Sequence, residues 1–279
     1  MRRTEQTGRQ KKSNHLVTVV LVLLLVIGMG LMLYPTVSDW LYSMKSDETI
    51  SQYQSAVESL DDQTRQDLWN RANAYNQTLV SNPYRFYPDD QEKADYLSQL
   101  AIDGTSAIAT IRVPGQDIYL PVFHGSSSEA LSSGAGHLEG SSLPIGGPST
   151  HSVISAHTGL PEAELFDNIS NLEIGDLFVV SCLGEDHVYE VEQILTVLPE
   201  EMDALNIVEG EDLCTLLTCT PYGINTHRLL VIGKRAPEGT TVPEYNPSGN
   251  QMIIIAATAA VVVVILVIWL IYRKRKKYE

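Results

Sequence analysis

Cysteine is scarce in this 279-residue chain: there are three, Cys182, Cys214 and Cys219. An odd number cannot all pair, so at least one thiol is free. Exported proteins usually pair their thiols or do without them, which makes a free one a candidate for chemistry; for any single cysteine the plainer role is a small buried apolar side chain. Basic residues are also few, 19 Lys and Arg against 34 Asp and Glu. The net charge is −15, yet residues 1–12 and 273–279 each sum to +4, which leaves −23 for the stretch between them. A middle this acidic repels phosphate backbones and excludes nucleic acid as a partner. Internal repeats and low-complexity tracts are missing too, which excludes solenoids and disordered arrays.

Two long uncharged segments are present, Leu16 to Tyr34 with 19 residues and Met252 to Tyr272 with 21. Each matches the length that spans a hydrocarbon core. The basic clusters flanking them place both chain ends in the cytoplasm and the acidic middle outside the membrane. No A-x-A-like cleavage site follows the first segment, so an uncleaved anchor is expected rather than a removed signal peptide. The expected organisation is a basic tail at 1–15, an anchor at 16–34, extracellular helices at 35–99, a β domain at 100–236, a linker at 237–251, a second span at 252–272 and a basic tail at 273–279.

Between the spans, Ile50, Tyr53, Ala56, Val57 and Leu60 recur at helical spacing, and Ser46-Asp47-Glu48 predicts the helix start. Leu68, Ala72, Tyr75 and Leu79 predict a second helix, stopped at Asn82-Pro83. Residues 81–91 read as an ordered loop. From residue 100 onward short β-like runs follow: 105–113, 117–123, 152–156, 176–182, 187–198, 212–219 and 228–233. Short helical stretches are expected near 128–132 and 163–169. Many short strands with few helices predict a mainly-β barrel or sandwich.

Leu213 to Cys219 is an apolar strand that ends on a cysteine, and eight residues separate Cys219 from Arg228 at the start of the next strand. In a hairpin the two would face each other. A guanidinium beside a thiol favours the nucleophilic thiolate and can later stabilise an oxyanion. Acyl transfer also needs a proton donor for the leaving amine. His157, at the end of the apolar strand 152–156, is the first candidate. His124, His137 and His151 in the Gly/Ser-rich region remain alternatives with structural or surface roles. His187 reads as solvated in a charged turn. His227 would point to the opposite face from Arg228.

Thr215-Leu216-Leu217-Thr218-Cys219 matches the TLxTC signature of sortases, and Ser155-Ala156-His157-Thr158-Gly159 resembles their histidine motif, with Arg228 where their arginine falls. Gly136 to Pro144, Gly159-Leu160-Pro161, Leu165-Phe166 and Thr218 to Val231 are similar to the class C, pilus-assembling branch, as is a second span with a basic tail. The similarity runs from about residue 31 onward. It implies a sortase-type closed β-barrel of about eight strands with short helices, amino-terminal helices and two transmembrane helices. It implies a catalytic set of His157, Cys219 and Arg228, with no metal and no cofactor.

The implied reaction cleaves an LPxTG-like sorting signal between Thr and Gly through a thioacyl-enzyme. The acyl group then passes to a lysine amine of a pilin subunit. The implied setting is the membrane of a Gram-positive bacterium with the barrel extracellular. The resemblance further implies a lid, here Asn82-Pro83-Tyr84, in which Tyr84 covers Cys219 and Asn82, lacking the usual carboxylate, only hydrogen-bonds Arg228. Thr158 stands where arginine is expected in many class C members. The alternatives are a housekeeping sortase joining surface proteins to a peptidoglycan precursor, and a non-catalytic membrane assembly scaffold. A papain-like protease is disfavoured by the order His157 before Cys219.

Overall fold

The computed structural model describes residues 5–243 except Glu162, together with Tyr245 and scattered positions between 256 and 268. The chain divides into two units, Met1–Leu41 with Ser248–Glu279, and Tyr42–Pro247. Helix α1 (Glu5–Glu58) is continuous through Pro35. Among the described residues one helical stretch, Leu23–Glu58, is long and apolar enough to cross a membrane. The second expected span, 252–272, lies largely outside the described residues, as do residues 1–4 of the tail expected at 1–15 and all of the tail at 273–279, while residues 5–15 belong to α1. The helix start expected at Ser46 is not one: Ser46 lies buried inside α1, so the apolar segment and the amphipathic one form a single helix.

The second unit holds a closed eight-stranded barrel with the order β1-β2-β3-β4-β7-β8-β6-β5. The strands are β1 (Ala107–Val113), β2 (Ile118–His124), β3 (Ala135–His137), β4 (Thr150–Ser155), β5 (Leu177–Cys182), β6 (Glu185–Val197), β7 (Asp212–Thr220) and β8 (His227–Arg235). Closure leaves no free sheet edge for another chain to pair with. β2/β3 and β4/β7 pair in parallel and the other neighbours antiparallel. β6 pairs with β8 rather than with β7, so residues 198–211 must cross the outside of the barrel to reach β7.

Alternation assigns the two faces of β4, β7 and β8. Ile154, Cys214, Leu216, Leu229 and Val231 belong to the main core inside the barrel; Val153, Leu217, Leu230 and Ile232 form a smaller cluster on its outer face. A bulge between Val191 and Gln193 flips the facing of β6. Before it, Tyr189 and Val191 point inward; after it, Leu195 and Val197 join the outer cluster. One extra residue thus turns the end of β6 into a wall of the outer groove.

Two helices follow α1 and dock on the barrel. Helix α2 (Asp62–Val80) is capped by Asp61, whose carboxylate accepts from Thr64 N. Its buried face is Leu68, Ala72, Asn76 and Leu79. Asn76 is fully buried and bonds both backbone groups of Leu143, donating to the carbonyl and accepting from the N–H. Tyr53 of α1 donates to Ile108 O and accepts from Leu183 N.

Helix α3 (Asp90–Ser98) opens with a capping box of Asp89 and Glu92. It was not expected, because at nine residues it buries only Tyr96 and shows no periodic stripe. β3 was not expected either: three residues, Ala-Gly-His, carry no alternation. Helix α4 (Ser128–Ser133) matches expectation. A 3-10 turn at Asp167–Asn171 stands where helical turns were expected at 163–169, and a further 3-10 turn at Asp203–Leu205 had no sequence signal. His187 is a correction: it faces into the barrel and is 4% exposed, because β6 turns its odd residues inward before the bulge. Burial and the nearby Arg235 push its pKa down to about 4.

Tyr96 ties α3 to the barrel through His137. The fully buried imidazole donates from Nε2 to Ser142 O at 2.8 Å, and its Nδ1 lies 3.0 Å from the Tyr96 hydroxyl. Burial pushes the His137 pKa down to about 4. The folded state therefore holds a neutral ring, while the unfolded chain takes up a proton near pH 6.5. Stability from this site is intact above pH 6.5 and is lost as pH falls from there towards 4. Between pH 7 and pH 5 the loss from His137 alone should be about 2 kcal/mol. In urea unfolding at the two pH values, a His137→Gln variant should be less stable at pH 7 but lose about 2 kcal/mol less on acidification; equal losses would rule the assignment out.

Candidate active site

Cys219 and Arg228 are direct cross-strand partners in the antiparallel β7–β8 pair. Residues opposed in this way project from the same face, with Cβ atoms about 5 Å apart. The turn between the strands carries Tyr222 and Ile224, each 67% exposed. β4 runs parallel to β7 with Ser155 against Leu217. Beyond β4 the alignment persists for one more residue pair, since Ala156 N donates to Leu217 O and Thr218 Oγ1 donates to Ala156 O. His157, two residues past Ser155, therefore comes level with Cys219, two past Leu217. On the other side Val197 of β6 is the partner of Arg228. The result is a row, His157, Cys219, Arg228, Val197, across the outer face. The next row down is Ser155, Leu217, Leu230, Leu195.

A groove of about 360 Å³ lies over these rows. Its floor includes Leu217 and Leu230, and Leu138 and Leu131 contribute from the β3 and α4 side. The crossing segment 198–211 supplies Leu198, Pro199, Glu201, Met202 and Leu205. Among the described lining residues the groups able to carry charge are His157, Cys219, Arg228 and Glu201. Glu201 is occupied in its own turn, accepting from Leu198 N at 2.8 Å. The site thus sets a histidine, a cysteine and an arginine level with one another above a largely aliphatic channel.

Cys219 is half-buried, whereas Cys182 and Cys214 are buried, and all three thiols are free. Burial pushes the Cys182 thiol up to about 12 and Cys214 well above the ordinary value. Arg228 Nη1 donates to the carbonyl oxygens of His227 and Asn225. His227, on the opposite face of β8, bonds Thr226 and is not part of the groove lining. His137 and His151 are buried in structural networks: His151 meets Asn206 O and Thr215 Oγ1. His124 stands edge-on to Tyr96.

The groove lining does not include Asn82, Pro83 or Tyr84. Asn82 Oδ1 accepts from Tyr84 N in a tight Asx turn, and Tyr84 is 73% exposed. The segment is anchored one residue on. Arg85 is buried and donates to Leu205 O at 2.9 Å, while Phe86 packs on the outer-face cluster.

Sequence reasoning missed the crossing segment as a wall of the site. It has no motif, and the only available signal was its length between two strands that are not neighbours. Asp167 was also missed. Its Oδ1 accepts from Thr158 Oγ1 at 2.8 Å and from Gly159 N at 2.7 Å. Thr158, unexplained by its motif, is thus a buried hydroxyl donor to Asp167.

The structure is a closed eight-stranded barrel with a cysteine, a histidine and an arginine level with one another on its outer face. Residues 111–236 match the family model described as Sortase domain. Sortase C1 from Streptococcus agalactiae is 47% identical, covers 69% of this chain and 100% of its own, and superposes with a TM-score of 0.66. A pilus-related sortase C of group B Streptococcus is 40% identical, covers 67% of this chain and 97% of its own, with a TM-score of 0.60. Sortase A of Streptococcus agalactiae is 28% identical over 116 residues, which are 40% of this chain and 47% of the length of that relative. The chain belongs to the sortase family, a family of cysteine transpeptidases, and its structural likeness is to class C members.

Proposed function

We propose that the chain is a class C sortase that cleaves an LPxTG-like signal and joins the new carboxyl end to a lysine amine of a pilin subunit. The alignment of His157, Cys219 and Arg228 in one row above the aliphatic groove is the observation that carries this reading. Cys219 Sγ attacks the threonine carbonyl carbon, and the carbonyl oxygen becomes an oxyanion that the Arg228 guanidinium stabilises. The C–N bond to glycine breaks as His157 donates a proton to the leaving amine, giving a thioester on Cys219. The incoming lysine amine attacks that carbonyl. His157 accepts its proton, and the C–S bond breaks to release the isopeptide and the Cys219 thiolate.

In this reading Asn82-Pro83-Tyr84 is a lid standing clear of the cysteine and hinged beside the Arg85 anchor. The barrel lies outside the membrane of a Gram-positive cell and both chain ends inside, supported by the apolar stretch of α1 and the basic residues at each end of the sequence. The housekeeping alternative differs only in the acceptor. Incubation with a pilin should give covalent ladders resistant to denaturing detergent, whereas transfer only to a peptidoglycan-type amine would favour the alternative.

The reading is tested with the full chain in detergent micelles and a peptide containing Leu-Pro-Glu-Thr-Gly. Intact mass followed by peptide mapping should place a Leu-Pro-Glu-Thr acyl adduct on Cys219 and none on Cys182 or Cys214. An adduct on another residue, or turnover with no cysteine acylated, would refute it.

A further inference from the structure

We propose that Asp167 is the positioning residue for His157, acting through the backbone and hydroxyl of the two residues that follow it. The inference rests on the reading of His157 as the proton carrier. Among the described residues the His157 imidazole makes no hydrogen bond of its own, so its placement is set through its main chain. The β4 ladder cannot do this alone, because it stops at Ser155, and the last strand-like bonds are those of Ala156 to β7. Past that point the chain must leave the barrel and return, and Gly159 takes a φ of +78°, where a side chain would be strained. Left free, this turn would let the imidazole swing away from the row it shares with Cys219.

Three bonds close the turn. Phe166 N donates to His157 O at 3.1 Å. Asp167 Oδ1 accepts from both Thr158 Oγ1 and Gly159 N. The returning segment is itself immobilised, since Phe166 and Ile169 are fully buried in the core on either side of Asp167. A bridge between Leu160 and Ala163 pinches the loop in between. One carboxylate oxygen at the start of a core-anchored 3-10 turn therefore grips the two residues after His157. Charge-assisted bonds of this kind are about twice as strong as neutral ones. The arrangement also accounts for Thr158: a hydroxyl short enough to be buried is what reaches Asp167.

Displacing a catalytic group by about 1 Å can cost on the order of 10²-fold in rate. The test uses the full chain in micelles with the Leu-Pro-Glu-Thr-Gly peptide. Asp167→Ala should lower kcat by about 10²-fold with KM changed less than about twofold. Asp167→Asn keeps an oxygen acceptor at the same place and should recover to within about threefold of the parent. Thr158→Val removes one of the two donors and should lower kcat about fivefold, again without moving KM. The His157 Cε1–H resonance, assigned by its loss in His157→Ala, should be one sharp line in the parent and Asp167→Asn and broadened or shifted in Asp167→Ala.

An unchanged kcat and resonance in Asp167→Ala would overturn the proposal, as would Asp167→Asn behaving like Asp167→Ala. If Asp167→Ala does not fold, Thr158→Val decides: lowered kcat at constant KM supports the proposal, and parent kcat overturns it. Retained turnover in His157→Ala would instead remove the reading of His157 as proton carrier, and the resonance would still report whether Asp167 places the ring.

Discussion

Replacing Cys219 by alanine is expected to reduce peptide cleavage and transfer by about 10⁴-fold or more, to the level of the uncatalysed background. The size of the effect follows from the absence of a substitute nucleophile. Cys182 donates its thiol to Ile108 O inside the core, and Cys214 is fully buried on the inner face of β7. Burial holds both thiols protonated, with Cys182 pushed up to about 12. Cys219 differs because it lies on the outer face at the end of the strand, where the groove reaches it. Truncating a half-buried thiol should change stability by only about 1 kcal/mol, so loss of activity with an intact melting transition is the expected pair of results. Brief treatment with iodoacetamide should label one thiol in the parent chain and none in the variant. A Cys219→Ala chain that kept a hundredth of the parent rate would sink the assignment.

How far the sequence carried can be judged at particular residues. The β7–β8 hairpin was legible because an apolar β-branched run, a Pro-Tyr-Gly turn and a second apolar run are strong local signals, and the count of eight residues between Cys219 and Arg228 fits the observed pairing. His157 was legible as a strand-end histidine, though chemistry alone left other histidines open until the motif resemblance entered. What brings it level with Cys219 is the parallel register of β4 on β7, a long-range pairing that no local pattern encodes.

The bulge at the middle of β6 was likewise hidden, and with it the inward facing of His187 and the outward facing of Val197. Short elements escaped for a different reason. β3 and α3 owe their conformation to tertiary contacts, the first to being pinned between β2 and β4, the second to Tyr96 bonding across to Gly125 and His137. Asp167 was invisible because it lies ten residues from His157, and only the fold of the intervening loop returns it to the site.

Replacing Arg228 by alanine is expected to lower kcat/KM by about 10²- to 10³-fold, in line with removal of an oxyanion donor. Strand register sets Arg228 directly across from Cys219, and both side chains line the same groove. Two carbonyl oxygens, those of Asn225 and His227, hold Nη1 at 3.4 and 3.1 Å. A guanidinium has five N–H donors in a rigid fork, so these bonds fix its plane and leave Nη2 and Nε for a substrate oxygen. Asn225 sits at a φ of +60°, a conformation asparagine tolerates better than most residues, which turns its carbonyl towards the arginine.

Arg228→Lys separates charge from geometry. A lysine keeps the positive charge but has neither the fork nor the reach to bond the two loop carbonyls and a substrate oxygen together. It should recover less than tenfold of the loss. Steady-state kinetics of the three chains with the same peptide provide the measurement, and folding is checked by their melting transitions. If Arg228→Lys matched the parent, the site would need only a positive charge. If Arg228→Ala matched it, stabilisation of the oxyanion would have to come from elsewhere in the groove, and the row of three side chains would reduce to a pair.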